Sequence, residues 1–357
     1  MIPIEMKISR YHTWLSRQNH DRALIGLIWE ADIPPLPEML DKVGLGNPLQ
    51  PEDIDPKMFA PWIETWYAQD AQLPSDTIQC FSPAFGVPWL EAMAGCTPLC
   101  QQGSIWAEPF LRYYHSRPSF GFDPENPWFR KLLEFTRALV EQSQGRFPVA
   151  LPQMRGPLDT LAAMRTPQQM CLDLIDQPEA VKQVLAELTD CWIGVARALL
   201  EVIPPFHGGY SSRMKLWAPG KTITPQNDAI SLISPPLYQR FIQQIDGKII
   251  NSFPYSCYHM HSTEHRHVEA LLQQPNLTGI EFTLEHHSGG LPFGPSMEVA
   301  RRILNQKPLV LAAPDVESAN RSLAELPPAG LCVLLWTDQP SLPETHIHWV
   351  AQNRMVS

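Results

Sequence analysis

The C-terminal half of the chain alternates short apolar runs with amphipathic stretches. The runs have strand length, and the stretches between them repeat apolar residues at helical spacing. The predicted strands are 255–261, 278–282, 308–312 and 331–336, and the predicted helices are 264–273, 296–304, 316–325 and 343–354. Such alternation requires parallel strands joined by helical crossovers. Four consecutive units without a glycine-rich phosphate fingerprint favour a (β/α)8 TIM barrel, an α/β fold, over a doubly wound sheet.

The N-terminal half has a weaker pattern. It predicts helices over 6–20 and 58–71 and strands over 23–29 and 147–153, followed by a long amphipathic helix over 177–202. Prolines and acidic residues crowd the segment before residue 75. We therefore expect residues 1–75 to form a helical and loop extension that caps one face, and residues 76–357 to form the barrel.

Composition limits the class of protein. The 357 residues are 44% hydrophobic and 18% charged, which is enough apolar material for a globular core. The formal net charge of −10 offers no basic surface for a phosphate backbone, so we expect no nucleic-acid partner. Seven cysteines without a CxxC pair suit a reducing compartment, and no apolar run approaches membrane-spanning length. We expect a cytoplasmic protein with no membrane partner and a small-molecule substrate.

The candidate chemistry lies where the predicted strands end, because the loops at that face of a barrel form its active site. His259 and His261 share one face of a strand, since side chains two residues apart point the same way. Together with a carboxylate they predict a three-ligand site for a divalent metal. We expect Asp338 or Glu281 to be the third ligand and both to be catalytic. Either carboxylate is equally typical of a helix N-cap or of a salt bridge.

Five other residues are predicted to line the substrate pocket. They are Phe85, Trp89, Met154, Trp217 and His286. The aromatic segment 81–89 has a simpler interpretation as filling of the core. The loop that carries His286 could equally be a solvated loop.

Several segments together resemble one known superfamily. These are Gly156-Pro157 with Thr160-Leu161, Pro178-Glu179-Ala180-Val181, Asp228 ahead of 233–241, the strand into His259, and Leu342-Pro343-Glu344. From about residue 75 onward, their order and spacing are similar to the uroporphyrinogen decarboxylase superfamily, including its cobamide-dependent methyltransferase branch. The resemblance implies a (β/α)8 barrel.

The chain departs from the decarboxylase branch at the positions that bind porphyrin carboxylates. Segment 27–32 lacks the arginines of that branch, segment 80–83 lacks its acid, Ala163 stands near its tyrosine, and 337–339 replaces its Gly-His-Gly. The charge complementarity that a polycarboxylate needs is therefore lost. Decarboxylation of a tetrapyrrole stays only as an alternative function.

The methyltransferase branch implies a different chemistry. Its members hold zinc through a His-x-Cys pair and a distant Cys, and the zinc lowers the pKa of a bound thiol. His259 matches the first ligand, His261 replaces the first Cys, and Asp338 lies about where the second would be. We therefore predict a zinc-type enzyme that transfers methyl groups and involves a small thiol or a corrinoid carried by a partner protein. A non-catalytic barrel that holds a corrinoid or another ligand is the remaining alternative.

Overall fold

The computed structural model describes residues 2–29, 47–83, 86–101, 104–337 and 342–355. Its centre is a curled sheet of six parallel strands in the spatial order β1-β10-β9-β8-β7-β6. These strands are β1 (Leu24–Trp29), β6 (Thr222–Ile223), β7 (Tyr255–His261), β8 (Gly279–Thr283), β9 (Leu309–Ala313) and β10 (Leu331–Thr337). Two antiparallel pairs lie outside this sheet, β2 (Thr97–Gln101) with β3 (Ser104–Glu108), and β4 (Tyr210–Ser211) with β5 (Trp217–Ala218).

Helices follow and cover the strands. They are α1 (Ile4–Leu15), α2 (Ala60–Asp70), α3 (Trp89–Met93), α4 (Pro127–Ser143), α5 (Pro157–Arg165), α6 (Pro167–Asp176), α7 (Pro178–Val202), α8 (Pro235–Phe241), α9 (Gln243–Asn251), α10 (Val268–Leu272), α11 (Phe293–Leu304), α12 (Val316–Glu325) and α13 (Glu344–Met355). Short 3₁₀ turns include Asp228–Leu232 and Ser262–His267. The predicted alternation from residue 255 onward is confirmed, with boundaries within three residues except that a 3₁₀ turn forms the first part of the helix predicted at 264–273.

The six-stranded sheet differs from the predicted eight-stranded barrel, because among the described residues it does not close. The gap lies between β1 and β6, beside two extended segments that meet only at a bridge between Phe81 and Val149. Phe81 N donates to Pro148 O at 3.1 Å, and Ala150 N donates to Phe81 O at 2.8 Å. The strand predicted over 147–153 is therefore wrong in extent. Pro148 and Pro152 have no N–H group to extend a ladder.

Helix α1 covers the end of the sheet at which the strands begin. Trp14 Nε1 donates to the carbonyl of Leu309, the first residue of β9, at 3.4 Å. Tyr11 is fully buried, and its hydroxyl donates to Lys215 O and accepts from Ile78 N. Strand β1, although it lies within the predicted cap segment 1–75, pairs with β10 in the main sheet. Helix α1 does not cover the opposite end of the sheet, where the strands finish and the candidate site lies.

A buried ion cluster lies at the same end of the sheet as α1. Asp76 accepts from both terminal nitrogens of Arg22 at 2.5 and 3.0 Å, from Arg354 Nε at 2.9 Å and from Ile25 N at 3.0 Å. Burial of Asp76 favours its neutral form, but the hydrogen bonds and charge of Arg22 outweigh burial and lower the pKa of Asp76. The cluster ties β1 to the C-terminal helix.

Among the described residues, no helix combines the length and apolar character required to cross a bilayer.

Candidate metal and substrate site

Two histidines meet at the end of β7. His259 and His261 both point to the same side of the strand, and their rings lie edge to face with centroids 4.7 Å apart. The two Nε2 atoms are 3.2 Å apart. His259 is buried and His261 is partly exposed. The predicted pairing of these two side chains on one strand face is what the structure shows.

A carboxylate fixes the far side of each imidazole. His259 Nδ1 bonds Glu281 Oε2, which β8 brings directly opposite, and Thr283 Oγ1 donates to the other oxygen of Glu281 at 2.7 Å. His261 Nδ1 lies 2.9 Å from Glu285 Oε1. Glu281 and Glu285 thus lie behind the two imidazoles, where a carboxylate fixes the orientation of a histidine ring.

These partners determine the tautomers that we assign to the two rings. A carboxylate accepts hydrogen bonds, so each Nδ1 carries the proton and each Nε2 presents a lone pair. Two lone pairs at 3.2 Å repel unless a cation lies between them. The pair therefore needs a proton or a metal ion.

Asp228 completes a group of possible ligands. Its carboxylate lies 4.0 Å from His261 Nε2, and single ligand atoms of Asp228, His259 and His261 all fall within 4.8 Å of one another. Gln226 Nε2 donates to both oxygens of Asp228 at 3.2 Å. Two imidazoles and one carboxylate form a three-ligand set typical of catalytic zinc.

The turn at Gly156 holds Asp228 in place. Asp159 accepts hydrogen bonds from Gly156 N at 3.2 Å and from Ala229 N at 2.7 Å. A Cβ atom on Gly156 would lie 2.0 Å from both Asn227 Oδ1 and Gln226 O. Only glycine allows this approach. The Gly-Pro motif seen in the sequence thus positions the loop that carries Asp228.

Acidic groups outnumber cations around the histidines. Burial and the charge of Asp228 raise the pKa of Glu264 to about 9 and the pKa of Asp159 to about 7. Burial disfavours charge on His261, but its hydrogen bond to Glu285 and the charge of Asp228 outweigh this and raise its pKa to about 9. Without a metal ion, the acidic groups are therefore balanced by a proton on His261 and by protons on the buried carboxyl groups, and a divalent ion would replace these protons.

A cavity of about 470 Å³ opens beside Asp228. Its volume suits a small molecule. The residues that line it include Val87, Trp89, Glu91, Ile105, Trp106, Arg155, Asp159, Asp228 and Leu232. Asp228 thus belongs both to the ligand group and to the cavity wall.

The predicted site residues are found at different places. Trp89 lines the cavity, and Glu281 bonds His259 from behind and is not a member of the ligand group. Met154 is buried in a separate small cleft beside Trp192. Asp338 and Phe85 lie outside the described residues, so their predicted roles stay predictions.

Two other predicted pocket residues lie away from the cavity wall. Trp217 packs on Tyr11 and donates from Nε1 to Phe206 O at 2.9 Å. The His286 ring packs at a tilt against the His287 ring with centroids 3.9 Å apart, and both side chains could hold an ion together with Asp315. This second group of possible ligands is more exposed than the first.

Sequence reasoning did not assign Asp228, Glu285 or Glu91 to the site. Asp228 was noticed only as part of the superfamily resemblance, and its place depends on a loop without strand or helix periodicity. Glu285 comes two residues after β8, so the rule that active-site groups follow parallel strands points to it. For Glu91, which lies in helix α3, the sequence gives no comparable signal.

Comparison with known proteins identifies a protein with a similar fold but no protein with a similar sequence. No protein-family model and no curated protein matches this chain. Among solved structures, a methyltransferase from Methanosarcina mazei matches with a TM-score of 0.67 and 15% sequence identity, over 98% of each chain. At this identity the match shows a shared fold.

Proposed function

We propose that this protein is an enzyme that transfers methyl groups and that depends on a divalent metal, most simply zinc. Asp228, His259 and His261 would hold the ion. The observation that carries the proposal is the contact of the two histidine Nε2 atoms at 3.2 Å, with each Nδ1 on a carboxylate.

The residues present fit such an ion. Two imidazole nitrogens and one carboxylate oxygen supply three ligands and leave a position for substrate. The carboxylates of Glu281 and Glu285 fix the ring orientations before an ion arrives. Asp338, which lies outside the described residues, stays a predicted ligand beside this set.

The methyl-transfer part of the proposal is supported by the fold shared with the Methanosarcina methyltransferase and by the sequence resemblance to the cobamide-dependent branch. When bound, a divalent ion lowers the pKa of a thiol so that a thiolate is available near neutral pH. Asp228 belongs both to the proposed ligand group and to the cavity wall. A thiol bound to the ion would therefore lie next to the cavity. A small thiol, or a corrinoid carried by a partner protein, is the proposed acceptor.

The sign of the cavity's charge argues against decarboxylation of a tetrapyrrole. Among the described lining residues, the carboxylates Glu91, Asp159 and Asp228 face a single guanidinium, that of Arg155. A substrate that bears several carboxylates would be repelled. We therefore keep methyl transfer as the proposed reaction.

We also propose that the six-stranded sheet is the larger part of an eight-position barrel. The extended segments around Phe81 and Val149 would occupy the two remaining positions, because Asp76 N donates to Ile25 O in β1 and Phe81 bridges to Val149. The match over nearly the whole length of the Methanosarcina structure supports this.

The proposal is tested with tag-free protein loaded with zinc. Methylcobalamin and a small thiol are mixed with the enzyme, and the loss of the methylcobalamin spectrum is followed together with the thioether by mass spectrometry. We expect zinc-dependent turnover that His259→Ala abolishes and that exposed His348→Ala retains. Turnover that is equal in zinc-loaded and chelator-treated protein would contradict metal dependence. Failure to transfer the methyl group from methylcobalamin or from methylated amines, to either thiol or cob(I)alamin, would contradict methyl transfer.

A further inference from the structure

The cavity beside Asp228 has aromatic walls. Trp89 is buried and is held by a hydrogen bond from its Nε1 to Pro83 O at 3.1 Å. Trp106, on β3, is 58% exposed yet lines the same cavity. Val87, Ile105 and Leu232 add apolar surface. An exposed tryptophan at a cavity mouth is a surface on which a ligand can stack.

The charged groups of this wall are mostly acidic. Glu91, Asp159 and Asp228 line the cavity, with Arg155 as the cation among its described lining residues. The two oxygens of Asp159 already accept backbone N–H groups, and Asp228 belongs to the metal-ligand group. Of these three carboxylates, Glu91 is therefore the one that neither holds the Asp228 loop nor belongs to the metal-ligand group.

Glu91 is buried without adequate compensation. Its side chain is 1% exposed, and its Oε1 atom accepts no hydrogen bond from the described part of the chain. The nearest cation is Arg155 Nη1 at 3.4 Å, and the Arg155 side chain is 46% exposed. Burial raises the pKa of Glu91, and Arg155 offsets this only in part. A buried carboxylate in this state is stabilised by a bound cation.

We propose that the cavity binds a methylated ammonium cation, with Glu91 as counter-ion and Trp89 and Trp106 as aromatic walls. A cation of this class is bulky and weakly hydrated, and it binds to aromatic faces as well as to carboxylates. A neutral ligand would leave the burial of Glu91 offset only in part by Arg155, and an anion would meet three carboxylates.

The inference deepens the proposed function and rests on it, because the bound cation would be the methyl donor. In the transfer, the carbon–nitrogen bond breaks and its electron pair stays on nitrogen. The new bond to the methyl carbon is formed by the electron pair of a thiolate or of cob(I)alamin. A quaternary ammonium donor leaves as a neutral tertiary amine, so charge and electrons balance without an oxidant.

The test measures binding and requires no turnover. Choline is titrated into chelator-treated protein by calorimetry, and its neutral isostere 3,3-dimethylbutan-1-ol serves as the matched ligand. We expect choline to bind at least about tenfold more tightly than the isostere. Glu91→Gln should remove that preference, whereas Glu141→Gln, on an exposed helix face, should keep it. Trp106→Ala should weaken choline binding about tenfold, while Tyr113→Ala, an equally exposed aromatic outside the cavity, should not.

The outcomes separate this inference from the proposed function. Choline binding in the parent protein and in His259→Ala, together with absence of any methyl transfer by the zinc-loaded parent protein, would support the cation site and remove the enzyme proposal. Equal binding of choline and the isostere, or no binding of choline, would overturn the cation site. Unchanged choline affinity in both Glu91→Gln and Trp106→Ala would overturn it as well. Methyl transfer from a neutral donor would leave the enzyme proposal standing even then.

Discussion

Two buried carboxylate clusters at opposite ends of one sheet differ in how their charge is balanced. Where the strands begin, Asp76 is held by Arg22, Arg354 and a backbone N–H group, and its pKa is lowered. Where the strands finish, burial and neighbouring acids raise the pKa of Glu264 and of Asp159. The first cluster is complete within the chain. The second lacks positive charge, and that deficit is what a metal ion and a cationic substrate would supply.

The largest effect should follow from removing a histidine at the strand-end cluster. His259→Ala removes a proposed ligand and leaves Oε2 of the buried Glu281 without its histidine partner. Zinc affinity should fall by more than about 100-fold, beyond the effect of losing an outer partner. Calorimetry measures this, with His348→Ala as the control. Zinc affinity in His259→Ala within a few-fold of the parent would show that the ion binds elsewhere.

The second prediction tests whether the Asp76 cluster affects stability without affecting zinc binding at the strand-end cluster. Asp76→Asn removes the charge that Arg22 and Arg354 share at the strand-start end. The free energy of unfolding should fall by about 3 kcal/mol, because a buried pair loses one partner. Zinc affinity should not change. Asp21→Asn, which removes an exposed pair with Arg10, is the control and should cost at most about 1 kcal/mol. Urea unfolding with and without zinc measures both quantities. Altered zinc affinity in Asp76→Asn would show that the two clusters are energetically coupled.

A smaller effect is expected when an outer partner is changed. Glu285→Gln keeps a group that can accept a hydrogen bond but removes the carboxylate charge behind His261. Zinc affinity should fall about 10- to 100-fold. Glu298→Gln, exposed on α11, is the matched control. If both variants bind zinc equally, Glu285 has no orienting role.

The smallest effect is a dependence on pH at the strand-start cluster. The folded-state pKa of Asp76 lies below its ordinary value of 3.8, so the unfolded chain takes up a proton first as pH falls. The stability due to ionised Asp76 is present above that value and is lost below it. The difference in unfolding free energy between the parent and Asp76→Asn should therefore shrink from pH 6 to below about pH 4. A difference that stays constant over this range would mean that folding does not lower the pKa of Asp76.

The sequence predicts the part of the fold in which each element has a clear period. Residues 331–336 form a continuous apolar run, residues 255–261 are rich in aromatic residues and β-formers, and helix α12 has the boundaries that its pattern predicts. The pattern predicts too much regularity where proline intervenes, as at Pro148 and Pro152. It also missed helices α4 and α6, which begin at Pro127 and Pro167.

Only the part of the candidate site that lies on strand β7 could be predicted from the sequence. The pairing of His259 and His261 follows from their spacing of two on one strand. The contribution of Asp228 depends on Gly156 and Asp159, which are about 70 residues distant in sequence, and the Asp159 carboxylate holds the Asp228 loop by accepting from Ala229 N. Glu281 is predicted to be a ligand or a catalytic residue because it lies near the end of the predicted strand 278–282. In this structure it bonds His259 Nδ1 from the neighbouring strand, and its role as ligand or catalyst stays a prediction.

The central claim is that Asp228, His259 and His261 bind one divalent ion. The direct test is zinc titration of tag-free, chelator-treated protein by calorimetry, with bound metal counted by elemental analysis after desalting. The account predicts one equivalent of tightly bound zinc in the parent protein, and none at this affinity in both Asp228→Asn and His259→Ala. It also predicts that His287→Ala, in the second and more exposed group, retains that equivalent. Less than a tenth of an equivalent in the parent, or an equivalent lost only in His287→Ala, would contradict the claim.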